Sequence, residues 1–263
     1  MIPLYFGGAK RKLFGVLDPA HGKHGKPQAA VICYPWGSEY LYAHRALRHL
    51  ARLLAARGCH VLRFDYYGTG DSAGEDFEGG LAGWREDIAT AIDELKESSG
   101  ARSVSLIGLR LGAALAAEVA AAGSENVSAL VLWDPAVSGA EHLERLDAEW
   151  RKMAQTHRTN LGYDGEDRRG GRYGLPMSDE LAVEMRAFDL SKIAKKIPAK
   201  TLCLSTERLA SHDSLRSEFA GHPDGPISLE EISDVQPWVE PNLENVGALP
   251  LVAIRRILTW LVP

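Results

Sequence analysis

The stretch Gly108-Leu109-Arg110-Leu111-Gly112 constrains this chain more than any other, because two glycines bracket one residue at the spacing of a strained strand-to-helix turn. In a G-x-S-x-G turn the strand and helix backbones approach too closely for a Cβ two residues before or after the centre. The central side chain is left exposed at the strand's end. The context agrees. Residues 104–107 are an apolar run that reads as a buried strand, and 111–122, rich in Ala and Leu, read as the helix that follows. The centre of such a turn is a nucleophile's place, and here it holds Arg110. A guanidinium has a pKa above about 12 and no free lone pair, so Arg110 serves neither as attacking group nor as general base near neutral pH. Serine-type acyl transfer is closed at this position.

The remaining chain repeats a strand-helix rhythm. Residues 4–17 read as two short strands about Gly7-Gly8, and 18–28 as a surface loop. Further strands are expected at 29–34, 60–64, 130–133, 201–205 and 227–232, and helices at 43–57 (ended by Gly58), 81–98 and 251–261, with a glycine-punctuated turn at 65–74. Strands alternating with helices of about 12 or more residues predict an α/β fold, a mostly parallel sheet covered on both faces. Between 138 and 200 the rhythm gives way to a charged helical pattern around a Gly-rich middle, 162–174. The expected organisation is a core in two parts, 1–137 and 201–263, interrupted by a helical lid at 138–200. Long insertions above a sheet's carboxyl edge commonly cover a pocket, although an inert decoration has the same pattern.

Composition narrows the function classes. At 263 residues, 45% hydrophobic and 25% charged, the chain suits one large domain with its own core. A net charge of −5 gives no electrostatic reason to expect nucleic acid, and Arg168, Arg169 and Arg172 read as a solvated loop. Residues 1–17 lack a continuous apolar stretch, and no segment approaches the about 18 apolar residues that span a bilayer, so a cytoplasmic location is expected. Cys33, Cys59 and Cys203 each lie in or beside an apolar strand-like segment and read as reduced core thiols. A buried thiol without a charged neighbour is inert, which weighs against Cys33 as a hidden nucleophile. His21 and His24 have no third ligand nearby, so no metal is expected, and nothing implies a cofactor.

Four segments together carry a family resemblance: Tyr34-Pro35-Trp36-Gly37, Phe64-Asp65-Tyr66-Tyr67-Gly68-Thr69-Gly70-Asp71-Ser72, the Gly108–Gly112 turn, and Leu132-Trp133-Asp134-Pro135. On these the chain resembles the α/β-hydrolase superfamily over nearly its whole length. More narrowly it is similar to a subgroup with arginine in the elbow, found in exosortase-linked and natural-product gene clusters. The resemblance implies an acid after the seventh strand and a histidine after the eighth, the imidazole deprotonating serine while the acid holds its tautomer. The acid slot lies at 207–213, where Glu207 is either that acid or a solvated turn residue. The histidine slot holds Ser233-Asp234-Val235-Gln236-Pro237-Trp238, and the last histidine of the chain, His222, precedes the final strand. Nucleophile and base are missing together.

The resemblance also implies an oxyanion hole made by the N–H groups of Leu111 and of Gly37 or Ser38. A guanidinium at the positive end of a helix costs about 0.3 to 1 kcal/mol, so Arg110 needs an anionic partner. Glu39 and Asp134, at strand carboxyl ends facing one crevice, are the internal candidates, and a substrate carboxylate or phosphate is the external one. Saturated internally, Arg110 is a strut; partly free, it is a carboxylate or oxyanion clamp. Tyr40, His44, Tyr66 and Trp238 are further candidates for the crevice, His44 as general base or as packed ring. Ser38 and Cys33 are candidate relocated nucleophiles, whereas Ser72 reads as a turn cap. Three functions stay open. The first is an enzyme acting on an acyl, ester or thioester compound with Arg110 stabilising negative charge. The second is a non-catalytic protein binding an acyl or carboxylate-bearing small molecule or a biosynthetic partner enzyme, and the third is a hydrolase with a relocated nucleophile.

Overall fold

The computed structural model describes residues 1–22, 27–123, 126–161, 177–198, 200–239 and 248–263, without the side chains of 153–161. Its strands are β1 (Ile2–Phe6), β2 (Leu13–Asp18), β3 (Gln28–Cys33), β4 (Cys59–Phe64), β5 (Val104–Leu109), β6 (Val127–Trp133), β7 (Thr201–Ser205) and β8 (Leu229–Glu231). They form one sheet in the order β1-β2-β4-β3-β5-β6-β7-β8, with β2 antiparallel to both its neighbours and every pair from β4 to β8 parallel. The central strands β3 and β5 are buried over nearly their whole length, as parallel strands covered on both faces must be. The expected α/β-hydrolase fold is the one observed.

Among the described residues seven α-helices accompany the sheet: α1 (Ser38–Ala56), α2 (Leu81–Ser99), α3 (Leu111–Ala121), α4 (Gly139–Leu161), α5 (Asp179–Ala187), α6 (Ala210–Ala220) and α7 (Leu251–Leu261). Ala43, Leu47, Leu50 and Leu54 make the buried stripe of α1, spaced by three or four residues. The α3 helix leaves only Glu118 and Ala121 partly exposed, which is why it is mostly Ala and Leu. Two boundaries differ from expectation with consequences for the crevice. Gly37 at φ 74° turns the chain so sharply that α1 starts at Ser38, which puts Glu39 in the first turn of a helix, where the dipole favours an acid. Sequence periodicity also missed α6, whose buried Leu215 and Phe219 are only one turn apart in a short, otherwise polar segment.

Within 138–200 the described residues include α4, α5 and a 3-10 helix, Leu190–Lys196. A bridge pairs Ser138 with Asp189, and a Cβ on Gly139 would overlap the Met185 carbonyl, so α4 starts pressed against α5. The Gly-rich middle with Arg168, Arg169 and Arg172 lies outside the described residues, as does His24. Among the described residues no helix is long and apolar enough to cross a membrane, and all three thiols are free and buried.

The elbow glycines are where they are for steric reasons. A Cβ on Gly112 would overlap the carbonyl oxygens of Cys33 and Tyr34, and one on Gly108 the backbone of Gly112 and Ala113. Backbone cannot yield as a side-chain tip can. Gly112→Ala is expected to lower unfolding free energy by about 3 kcal/mol, read from the urea midpoint, because it drives α3 off β3. An unchanged midpoint would show that the elbow tolerates a Cβ.

Candidate functional site

Arg110 stands between β5 and α3 at φ 57°, ψ −119°, a left-handed conformation rare outside glycine. Its N–H donates to the Trp133 carbonyl at 3.0 Å, and its own carbonyl accepts from Ala113 at 3.1 Å and Ala136 at 3.1 Å. The surrounding backbone therefore over-determines the strain. The guanidinium is 2% exposed. Nε donates to Glu39 Oε1 at 2.7 Å and Nη1 to Glu207 Oε1 at 3.0 Å. Arg145 of α4 donates from Nη1 to the same Glu207 Oε1 at 2.5 Å and from Nη2 to Oε2 at 2.8 Å, a two-pronged grip. Two cations and two carboxylates thus alternate from α1 through the elbow and the loop after β7 to α4.

Burial raises the Glu39 carboxyl while the Arg110 charge opposes it. For Glu207 burial also raises the carboxyl, but the Arg145 hydrogen bonds and the two guanidinium charges outweigh it and hold the group below its ordinary value. Glu149, 4.0 Å from Arg145, is pushed up to about 7 by burial and the nearby Glu39 charge. His142 of α4 puts Nε2 3.9 Å from Glu39 Oε2, too far for a hydrogen bond, and both its ring nitrogens and that oxygen are buried without a hydrogen-bond partner. Burial and the two arginine charges hold the His142 imidazole neutral, well below its ordinary value. The cavity here, lined by Arg110, Ser138, Glu141, His142, Arg145 and Leu209 among others, measures about 10 Å³, the volume of one water.

Of the expected crevice residues, the structure brings Glu39 to Arg110 and leaves others facing elsewhere. Asp134, itself at φ 42°, accepts hydrogen bonds from the Thr206 N–H and hydroxyl at 2.5 and 2.7 Å, so its carboxylate ties β6 to the loop after β7. Burial pushes it up to about 6. Tyr40 and His44 lie one turn apart on α1, rotated about 100° and about 140° from Glu39. The Tyr40 hydroxyl donates to Asp65 at 2.7 Å, and the His44 ring stacks on Tyr34 with centroids 6.2 Å apart. Trp238 fills the histidine slot and meets Trp133 edge-on at 5.1 Å, both indole N–H groups unpartnered. Close approach of Gly112 to the Cys33 and Tyr34 carbonyls brings the Leu111 end of α3 to the loop carrying Gly37 and Ser38. Helix-start N–H groups have no partner within their own helix.

Pro35, Trp36, Gly37, Tyr40, Leu41 and Tyr66 help to line an aromatic-walled cavity of about 170 Å³ beyond that loop. Cys33 neighbours Tyr66, and burial pushes its thiol up, away from reactivity. Among the described residues no cluster of metal-ligating side chains occurs.

The sequence reading passed over His142, Arg145 and His212. The first two sit three apart on α4, on the face turned to the elbow, but in a helix dense with charge that spacing is indistinguishable from a solvated stripe. His212 is buried in the first turn of α6, its Nδ1 3.3 Å from the Ser205 hydroxyl.

Residues 26–201 match the family model described as serine aminopeptidase, S33, and the chain belongs to that family of α/β-hydrolases. It is similar to the human (Homo sapiens) palmitoyl-protein thioesterase ABHD10, mitochondrial, with 33% identity over 101 residues, 38% of this chain and 31% of that protein. The match thus spans about a third of the length of that curated relative. Among solved structures, Est1E from Butyrivibrio proteoclasticus with bound ferulic acid superposes with a TM-score of 0.67 at 18% identity, covering 97% of this chain and 98% of that one. The enol-lactonase from Burkholderia xenovorans LB400 superposes at 0.64 and 16% identity, covering 99% and 100%. At such identities these structures share the fold.

Two outcomes test the electrostatics. Arg110→Ala strands Glu39 as an unpaired buried carboxylate and is expected to cost about 3 to 5 kcal/mol in urea unfolding, with Arg110→Met plus Glu39→Gln recovering more than half. A single-mutant loss below about 1 kcal/mol would mean the pair is solvated. Glu149 binds its proton more tightly folded than unfolded, so it weakens the fold as pH rises from about 4.5 to about 7. Glu149→Gln is therefore expected to raise the melting temperature at pH 8 and leave it nearly unchanged at pH 4; the reverse order would place the Glu149 pKa below its ordinary value.

Proposed function

We propose that this member of the serine aminopeptidase S33 family binds a small acyl or carboxylate-bearing molecule without serine-type hydrolysis. The observation that carries the reading is the 2.7 Å contact of Arg110 Nε with Glu39 at the point where the family fold presents a nucleophile. An acyl carbon approaching the elbow meets a cation already neutralised by two carboxylates, with a cavity of about 10 Å³ beside it. The guanidinium does not attack, Asp134 is engaged by Thr206, and Trp238, in the segment where the family's histidine is expected, is packed on Trp133. An acyl ligand has a place nearby, since an apolar space of the order of 150 Å³ accepts a benzene-sized group and the aromatic-walled cavity measures about 170 Å³.

A second reading is an acyl, ester or thioester enzyme in which Arg110 and the Leu111 and Gly37 N–H groups steady developing negative charge while water attacks. What favours it is the 101-residue match to a palmitoyl-protein thioesterase. Such a clamp requires Arg110 to leave Glu207 for the oxyanion during turnover.

A panel of acyl esters and thioesters, with intact-mass measurement after fluorophosphonate and after a thiol reagent, separates these readings. The expected result is no turnover above background and no adduct on folded wild type. Turnover abolished by Arg110→Ala without an adduct would replace binding with the clamp enzyme. An adduct on Ser38 or Cys33 would establish a relocated nucleophile instead.

A further inference from the structure

We infer that Glu207 is a built-in placeholder in a two-arginine receptor for a small carboxylate, which enters from the cleft at the carboxyl ends of β7 and β8 and displaces it. The inference rests on the reading above only in that the elbow is not used for acyl transfer. It goes further by naming the ligand's charged group, its partners and its route.

The two acids on Arg110 are not equivalent. Glu39 is 0% exposed in the first turn of α1, and Glu207 is 19% exposed on a short loop. That loop borders an open cleft of about 310 Å³ lined by Ser205, Thr206, Glu207, Arg208, Glu231, Ile232 and Ser233. The Glu207 carboxylate touches both guanidiniums, and both arginines also line the small cavity that holds His142. Glu207 thus lines the cleft with one side of its side chain and holds both guanidiniums with its carboxylate, while Arg110 is 2% exposed and Arg145 20% exposed.

Exchange is electrostatically neutral. With Glu207 in place, Arg110 and Arg145 are balanced by Glu39 and Glu207. With a ligand carboxylate in its seat and Glu207 rotated into the cleft, the buried charge count is the same. Arg145 already offers the parallel two-pronged geometry that reads a carboxylate, with Arg110 Nη1 as a third donor. Beside the pair, His142 is 3% exposed, and among the described residues neither of its ring nitrogens has a hydrogen-bond partner. The polar cleft walls favour a short, hydrophilic tail over a long acyl chain.

The test is ligand-observed NMR titration of wild type and variants with sodium acetate and sodium lactate, against sodium chloride at matched ionic strength. Wild type is expected to bind saturably but weakly, since its affinity is reduced by the fraction of molecules with Glu207 seated. Glu207→Ala is expected to bind at least about ten-fold more tightly, and Arg145→Met to lose binding in both backgrounds. Glu207→Gln, which keeps shape and removes charge, serves if the alanine variant does not fold, with the same gain expected. Binding by the Glu207 variants with none by wild type up to 100-fold above the variant dissociation constant (about 2.7 kcal/mol) would make Glu207 a permanent strut and overturn the inference. So would binding that survives Arg145→Met, or none in any protein. Because the readout is binding of molecules with no scissile bond, its failure is separate from any finding of ester turnover.

Discussion

Everything at the carboxyl edge of this sheet follows from placing a cation that cannot be deprotonated at the positive end of the buried helix α3. In water the guanidinium would need no partner; at 2% exposure it must have one. Glu39 answers from the first turn of α1, and Gly37 with its left-handed backbone is what lets that helix start early enough to present it. Because the Glu39–Arg110 pair is buried, it supports the fold only as long as both members are present, so the residues around it are coupled more tightly than their separation in sequence implies.

The same requirement propagates outward. Glu207 approaches Arg110 from the far side and would leave the site one charge negative; Arg145 of α4 restores the balance and, in doing so, docks the insertion on the core. Contacts between α4 and α5, tightened at Gly139, carry that docking on to α5. The position a nucleophile occupies in the family fold has become the centre of an electrostatic joint. The matched family, residues 26–201, fixes the scaffold, and the chemistry of this chain is decided by these few side chains.

Legibility of the site tracked how local each signal was. The elbow, its two glycines and the absent histidine were plain, because strand-to-helix spacing and residue identity are properties of short segments. Glu39 was legible as a partner for Arg110 because both sit at strand carboxyl ends of one crevice. Asp134 sat equally close by that argument, yet Thr206 takes both its oxygens, and no rule of spacing foretells which of two neighbours a carboxylate will choose. Tyr40 and His44 were grouped with Glu39 by proximity in sequence. The helix rotates them toward Asp65 and Tyr34, a rotation that became visible once α1 was known to include residue 38.

By itself, then, the amino-acid sequence determined the α/β architecture, the strained turn at Gly108–Gly112 and the presence of an arginine at its centre, since periodicity, glycine placement and residue identity do not depend on distant contacts. Only the tertiary structure decided that Arg110 is shared by Glu39 and Glu207, that Arg145 and His142 of α4 face the elbow, and that Trp238 packs on Trp133. Glu39 and Glu207 lie 71 and 97 residues from Arg110, and Arg145 lies 62 from Glu207; long-range pairing of charges is settled by which surfaces the sheet and helices press together.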